Sequence, residues 1–177
     1  KHLGIESGYM TTVHSVTGDQ NTIDTLHKDL KRARNSLISI IPTSTGAARA
    51  VGEVLPNLKG KIDGSAIRVP TPNVSLAILK LNLTKPTSVE DVNSKIREAA
   101  LRGDLVNQIN YQIDPDLVST DIIGNNCCSV FDSNATISSN GGKDIILYTW
   151  YDNEYGYTKQ VIRLAKLIAK VRRLTYY

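Results

Sequence analysis

The apolar residues of this sequence fall in short runs rich in β-branched and aromatic side chains, and none approaches the roughly 20 residues needed to span a bilayer. Tyr9 to His14, Ser65 to Pro70, Ser75 to Thr84, Val118 to Ile122, Cys128 to Phe131 and Asp144 to Trp150 read as strands, the run from Ser75 long and alternating. Three segments read as helices. The first opens at Thr45-Gly46-Ala47-Ala48 and is ended by Pro56. The second spans Ser88 to Ala100, with Ser or Thr to cap it, acids in its first turn and Gly103 beyond its end. The third runs from Tyr155 to Arg172, with Tyr157, Val161, Leu164, Ala165, Ile168 and Val171 on one stripe. Ser15 to Arg34 is polar without a clean period and reads as a long loop. Strands that outnumber helices, with hairpin-scale connections, predict an α+β fold: a largely antiparallel mixed sheet with helices packed on one face. No repeat, low-complexity tract or internal boundary interrupts the pattern, so residues 1–177 are expected to form a single domain.

Composition narrows the class further. At 41% hydrophobic and 21% charged, the chain is expected to be an ordinary soluble globular protein with a buried core. Its two cysteines, Cys127 and Cys128, are adjacent and badly placed to bridge each other. No Cys/His spacing suggests zinc, and a reducing, cytoplasmic setting is expected. The net charge of +4 suits phosphate-bearing small molecules or nucleic acid. One cationic cluster, His27 to Arg34, lies in the polar loop; the other, Lys166 to Arg173, reads as a solvated helix end. A stand-alone module using Lys28, Lys31, Arg32 and Arg34 on RNA or another polyanion is one binding reading. Aromatics make up only 6% of the chain and none interleaves with that run, which argues against a base-stacking surface.

Several residue types invite chemistry, each with a plainer role beside it. His14, at a strand end and the mouth of a polar loop, suits proton transfer or simple capping. Thr45 and Gly46 open a helix whose N–H groups can hold an anion, or merely cap it. Arg68 would be costly if inward and unpaired. Asn153 lies where the last strand meets the last helix, suited to pairing with an amide or to forming an Asp-Asn turn.

Four strings give these residues a context. Gly4-Ile5-Glu6-Ser7-Gly8-Tyr9-Met10-Thr11-Thr12-Val13-His14-Ser15-Val16-Thr17, Ile40-Ile41-Pro42-Thr43-Ser44-Thr45-Gly46-Ala47-Ala48, Arg68-Val69-Pro70-Thr71-Pro72-Asn73-Val74-Ser75 and Trp150-Tyr151-Asp152-Asn153-Glu154-Tyr155-Gly156-Tyr157 resemble, in order and spacing, segments of phosphorylating glyceraldehyde-3-phosphate dehydrogenases. The resemblance implies that family's catalytic-domain fold and a reaction with NAD: oxidation and phosphorylation of glyceraldehyde 3-phosphate to 1,3-bisphosphoglycerate through a cysteine thioester. It implies that His14 lowers the pKa of the cysteine and handles the proton of the thiohemiacetal. Thr45 and Gly46 would serve inorganic phosphate, Thr17 and Arg68 the substrate's own phosphate, and Arg32, with Arg34 as the alternative, would point between the two. Asn153 would bind the nicotinamide carboxamide, with Tyr157 packed behind it. The nucleophilic cysteine and an N-terminal Rossmann domain would lie upstream; Cys127 and Cys128 match no catalytic motif and read as structural. The fragment alone is expected to be inactive, and the whole protein to be a cytoplasmic homotetramer that binds neither membrane nor nucleic acid.

Departures from the family pattern qualify this. Asp24-Thr25-Leu26-His27 matches neither the NAD nor the NADP signature, so NAD is expected on family grounds with NADP left open. Erythrose-4-phosphate dehydrogenases share the histidine strand but lack Thr-Gly-Ala-Ala, so Thr45 to Ala48 favour the phosphorylating enzyme over that alternative. Leu174 to Tyr177 run past the usual family ending.

Overall fold

A computed structural model of the chain describes residues 2–171. It contains seven strands, β1 (Ile5–His14), β2 (Ile41–Ser44), β3 (Ile62–Arg68), β4 (Ser75–Leu83), β5 (Ile109–Gln112), β6 (Ser129–Ser139) and β7 (Asp144–Tyr151). The helices are α1 (Ala47–Val54), α2 (Val89–Leu101) and α3 (Tyr155–Ile168). The strands form one sheet in the order β2-β3-β1-β4-β7-β6-β5. Neighbours are antiparallel except β1 with β3 and β5 with β6, the mixed, largely antiparallel sheet of the expected α+β fold.

Strand register decides which side chains share a face, because successive residues point to opposite sides. Met10 lies opposite Leu79, Thr12 opposite both Ala66 and Ala77, and Leu81 opposite Ile145. This face carries the apolar side chains and is covered by helices. Leu83, Val92 and Ile145 form a buried cluster beneath α2, joined by Ile5, Leu81, Ile96 and Leu147. Met10, Ala48 and Ala77 form another beneath α1. Burying each such larger side chain contributes roughly 1.5–3 kcal/mol, which is what holds the helices to the sheet.

Helix α2 starts where its sequence says it should. The Ser88 hydroxyl accepts from the Asp91 amide at 3.1 Å, and Glu90 and Asp91 sit in the positive first turn. Pro56 does not itself end α1; it opens a short 3-10 turn after the helix has stopped at Val54. Helix α3 differs from its neighbours. Of its residues only Gly156 is buried, and the predicted stripe at Tyr157, Val161, Leu164 and Ile168 faces outward. Among the described residues nothing covers that stripe. The end of this helix at Arg172 and the tail Leu174 to Tyr177 lie outside the described residues.

Some expectations are corrected. Val118 to Ile122 is not a strand: Ser119–Ile122 is a 3-10 turn, closed by the Asp121 carboxylate accepting from the Val118 amide at 2.8 Å. Two short strands, β2 and β5, form where none is expected, and the run beginning near Cys128 extends through Ser139 as β6. Among the described residues, no helix is long and apolar enough to cross a membrane.

Candidate active site

The helix-covered face carries a polar cluster at one end of the sheet. Strands β1 and β3 end there, β4 begins and β7 ends. His14 is level with Arg68 in the parallel β1–β3 pair. Val13 faces Leu76, which brings His14 beside Ser75, and Ser75 is level with Tyr151. Four polar side chains thus share one face where the apolar core stops.

His14 is half-buried, with Nδ1 2.8 Å from the Ser15 carbonyl and 2.7 Å from Arg68 Nη1. A protonated Nδ1 donates to the carbonyl; an unprotonated one accepts from the guanidinium, so the two contacts exclude each other. Its ring lies edge-on to Tyr151, with centroids 6.1 Å apart. Burial pushes the imidazole pKa below its usual 6.5; the Ser15 carbonyl opposes that, and the Arg68 charge lowers it further. That direction favours the neutral imidazole, the state a proton acceptor needs.

Arg68 Nη1 also donates to Thr17 Oγ1 at 3.2 Å and to the Ser15 carbonyl at 3.3 Å, while its buried Nε has no partner among the described residues. Asp19 ties the strand end to the loop: its carboxylate accepts a very short hydrogen bond from the Thr17 hydroxyl and pairs with Arg32 Nη1 at 2.6 Å. The Thr17 hydroxyl, then the Arg32 and Arg68 charges, hold the Asp19 pKa below the usual carboxylate value against the effect of burial. Arg32 Nε donates to Thr43 Oγ1 on β2 at 3.2 Å. Arg34 turns away, its Nε pairing with exposed Asp24 at 3.2 Å.

Thr45 and Gly46 stand at the start of α1, where Gly46 is the cap and Thr45 Oγ1 accepts from the Ala47 amide at 3.2 Å. No hydrogen bond among the described residues links them to His14, Thr17 or Arg68. The connection runs through β2 by way of Thr43, Arg32 and Asp19.

Asn153 joins the cluster from behind. Its Oδ1 accepts from Ser75 Oγ at 2.7 Å and its Nδ2 makes a very short bond to Ser15 Oγ. Asp152 next to it is 2% exposed and accepts from the amides of Gly124, Glu154 and Tyr155. Tyr157 does not pack behind Asn153: it is 71% exposed, because α3 turns that stripe outward. Cys127 and Cys128 keep thiol pKa values raised by burial, unlike an activated nucleophile.

The sequence reading missed Ser15, Asp19, Ser75 and Tyr151. Alternation along Ser75 to Thr84 places Ser75 on the apolar face, and a polar residue there was the available signal. Asp19 carried a weaker one, two residues beyond Thr17 in a turn.

Fold and cluster together define a class: an α+β domain with an imidazole, two inward arginines and an anchored carboxamide at one strand end. The family described as glyceraldehyde 3-phosphate dehydrogenase, C-terminal domain, matches residues 1–153, and the chain belongs to it. Relatives include a glyceraldehyde-3-phosphate dehydrogenase of Priestia megaterium (strain DSM 319 / IMG 1521), 51% identical over 167 residues, covering 94% of this chain and 49% of that protein. Glyceraldehyde-3-phosphate dehydrogenase 1 of Bacillus subtilis (strain 168) is 50% identical over 168 residues, 95% of this chain and 49% of that protein. A glyceraldehyde-3-phosphate dehydrogenase-like protein of Pseudomonas aeruginosa (strain UCBPP-PA14) is 48% identical over 168 residues, covering 95% of this chain and 36% of that one. The chain thus spans about half the length, or less, of these relatives.

Proposed function

We propose that residues 1–177 are the catalytic domain of an oxidoreductase that converts glyceraldehyde 3-phosphate and inorganic phosphate to 1,3-bisphosphoglycerate. The observation that carries this is the junction of His14, Thr17 and Arg68, in which one guanidinium nitrogen lies 2.7 Å from His14 Nδ1 and 3.2 Å from Thr17 Oγ1. A dianionic phosphate needs fixed charge and donors, and Arg68 with Thr17 supplies both. When Arg68 turns to such a phosphate, His14 Nδ1 is released to donate to the Ser15 carbonyl, which leaves the Nε2 lone pair to take a proton. In the proposed sequence a thiol from an upstream segment gives its proton to His14 as its sulfur adds to the aldehyde carbon. The imidazolium passes that proton to the alkoxide so formed and takes it back as hydride leaves the carbon, which yields the thioester. Phosphate held at Thr45 and Gly46 then attacks the thioester carbon and expels the cysteine thiolate, with Arg32 between the two anions.

The residues present fit a nicotinamide dinucleotide. With one lone pair and one N–H committed inside the protein, Asn153 keeps one acceptor site and one N–H for a primary carboxamide. The cofactor supplies hydride acceptance; NAD is proposed over NADP. An N-terminal Rossmann domain is the proposed partner, its surface covering the apolar stripe of α3. Cytoplasmic location and assembly into four copies complete the reading. A polyanion-binding module is not favoured, since Arg32 and Arg34 are already paired with carboxylates.

The test is turnover by the full-length protein. Reduction of NAD should require both glyceraldehyde 3-phosphate and inorganic phosphate. A rate indifferent to phosphate would point to the hydrolytic erythrose-4-phosphate relatives, and no turnover with either aldehyde would end the proposal.

A further inference from the structure

Behind the anion cluster lies a set of buried hydroxyls that the reaction does not use directly. Thr12, Ser15 and Ser75 are 4%, 0% and 1% exposed, and the two serine hydroxyls converge on Asn153. The Ser75 hydroxyl accepts from the Ser15 amide at 3.1 Å and donates to Asn153 Oδ1 at 2.7 Å. Tyr151 lies level with Ser75 on the neighbouring strand.

Hydrogen-bond accounting gives this arrangement a direction. A serine hydroxyl has two acceptor sites and one proton. The Ser15 amide occupies one acceptor site of Ser75 at 3.1 Å, and the Ser75 proton is directed at Asn153 Oδ1 at 2.7 Å. Ser15 Oγ cannot set this choice, because its hydroxyl serves either face of an amide by rotating. Were the Asn153 amide to turn over, its NH2 would meet the Ser75 proton, and the bond from Ser75 would be lost.

We propose that Ser75 is a positioning residue that fixes the orientation of the Asn153 amide, and through it which face of the nicotinamide ring is presented to the aldehyde. The inference rests on the reading of Asn153 as the carboxamide partner. A primary carboxamide has an acceptor side and a donor side, so an anchored Asn153 pairs with it in one sense only. Releasing Ser75 leaves Asn153 free to present either side, and the ring can then bind in both senses.

The experiment uses the full-length protein and its Ser75→Ala, Asn153→Ala and doubly substituted forms. NAD affinity is measured by calorimetry, and stereochemistry by deuterium transfer to the two faces of the ring. Ser75→Ala should weaken NAD about fivefold, the worth of one hydrogen bond, and should mix the two faces. In the Asn153→Ala background it should add nothing. Wild-type affinity with single-face transfer in Ser75→Ala would overturn the proposal, as would a Ser75→Ala penalty undiminished by Asn153→Ala. Should Ser75→Ala fail to fold, Ser75→Cys keeps the side chain's bulk and leaves only a weak donor. It should also mix the faces, and strict single-face transfer there overturns the proposal. Failure of the underlying reading shows separately, as NAD affinity unchanged by Asn153→Ala itself.

Discussion

Arg68 Nη1 is the atom on which most of the cluster depends, since it reaches His14, the Ser15 carbonyl and Thr17 at once. Arg68→Leu in the full-length enzyme should raise the Michaelis constant for the phosphorylated aldehyde about 10- to 100-fold, the worth of a charge-assisted hydrogen bond. An unchanged constant would make the arginine structural. The same substitution removes a positive charge beside the imidazole, so the His14 pKa should rise from its depressed value, read by NMR titration of the ring. The sign extends to stability. His14 binds its proton less readily when folded, so its contribution is complete above the unfolded value of 6.5 and is lost as pH falls through the lower folded pKa. His14→Asn should slow acylation about 10²- to 10⁴-fold and leave NAD affinity near wild type. Cysteine alkylation at the wild-type rate in that variant would remove the histidine's role in activating the thiol.

The turn between β7 and α3 shows how an element is held by a single side chain. Burial alone would raise the Asp152 pKa, but amides of Gly124, Tyr155 and Glu154 hold it below 3.8. Asp152→Ala should cost about 2–3 kcal/mol in denaturant unfolding, because it removes three amide hydrogen bonds to a buried carboxylate. The wild-type contribution is complete above pH 3.8 and fades as pH falls through the folded value. Gly64 marks another constraint, since a Cβ there would lie 2.5 Å from the Met10 carbonyl across the β1–β3 pair. Elements of this kind were unevenly legible. The run from Ser75 was readable because ten residues alternate on a half-buried face. Strands β2 and β5 were not, being four residues each at the sheet edges, one with Pro42 and the other with Asn110 and Gln112. The Val118 segment misled because its β-branched residues outweighed Asp121, whose carboxylate bends it into a turn. His14, Thr17, Arg68 and Asn153 were legible from their motifs. Their gathering at one strand end was not, because register between strands 54 residues apart leaves no local trace in sequence.

Across the whole molecule the outward stripe of α3 is the largest anomaly. Leu164, Leu167 and Ile168 are 56%, 74% and 74% exposed, more contiguous apolar surface than a stable monomer usually shows. The isolated chain should therefore bind a hydrophobic dye and self-associate in light scattering. Joining it to its proposed Rossmann partner should abolish the dye binding and leave one defined assembly of four copies in light scattering. Persistence of dye binding and of open-ended association in the full-length protein would mean that the stripe has some other purpose. Leu164→Ser with Leu167→Ser should restore a monodisperse fragment.

The parallel alignment of β1 with β3 carries a consequence for how such a molecule comes into being. Two chain segments on either side of a long polar excursion must meet before an imidazole and a guanidinium can stand side by side, and encounters of that reach are slow. During refolding, helix content should return first and the capacity to retain a phosphate should return last. A newly made chain therefore shows no half-built version of its reactive corner.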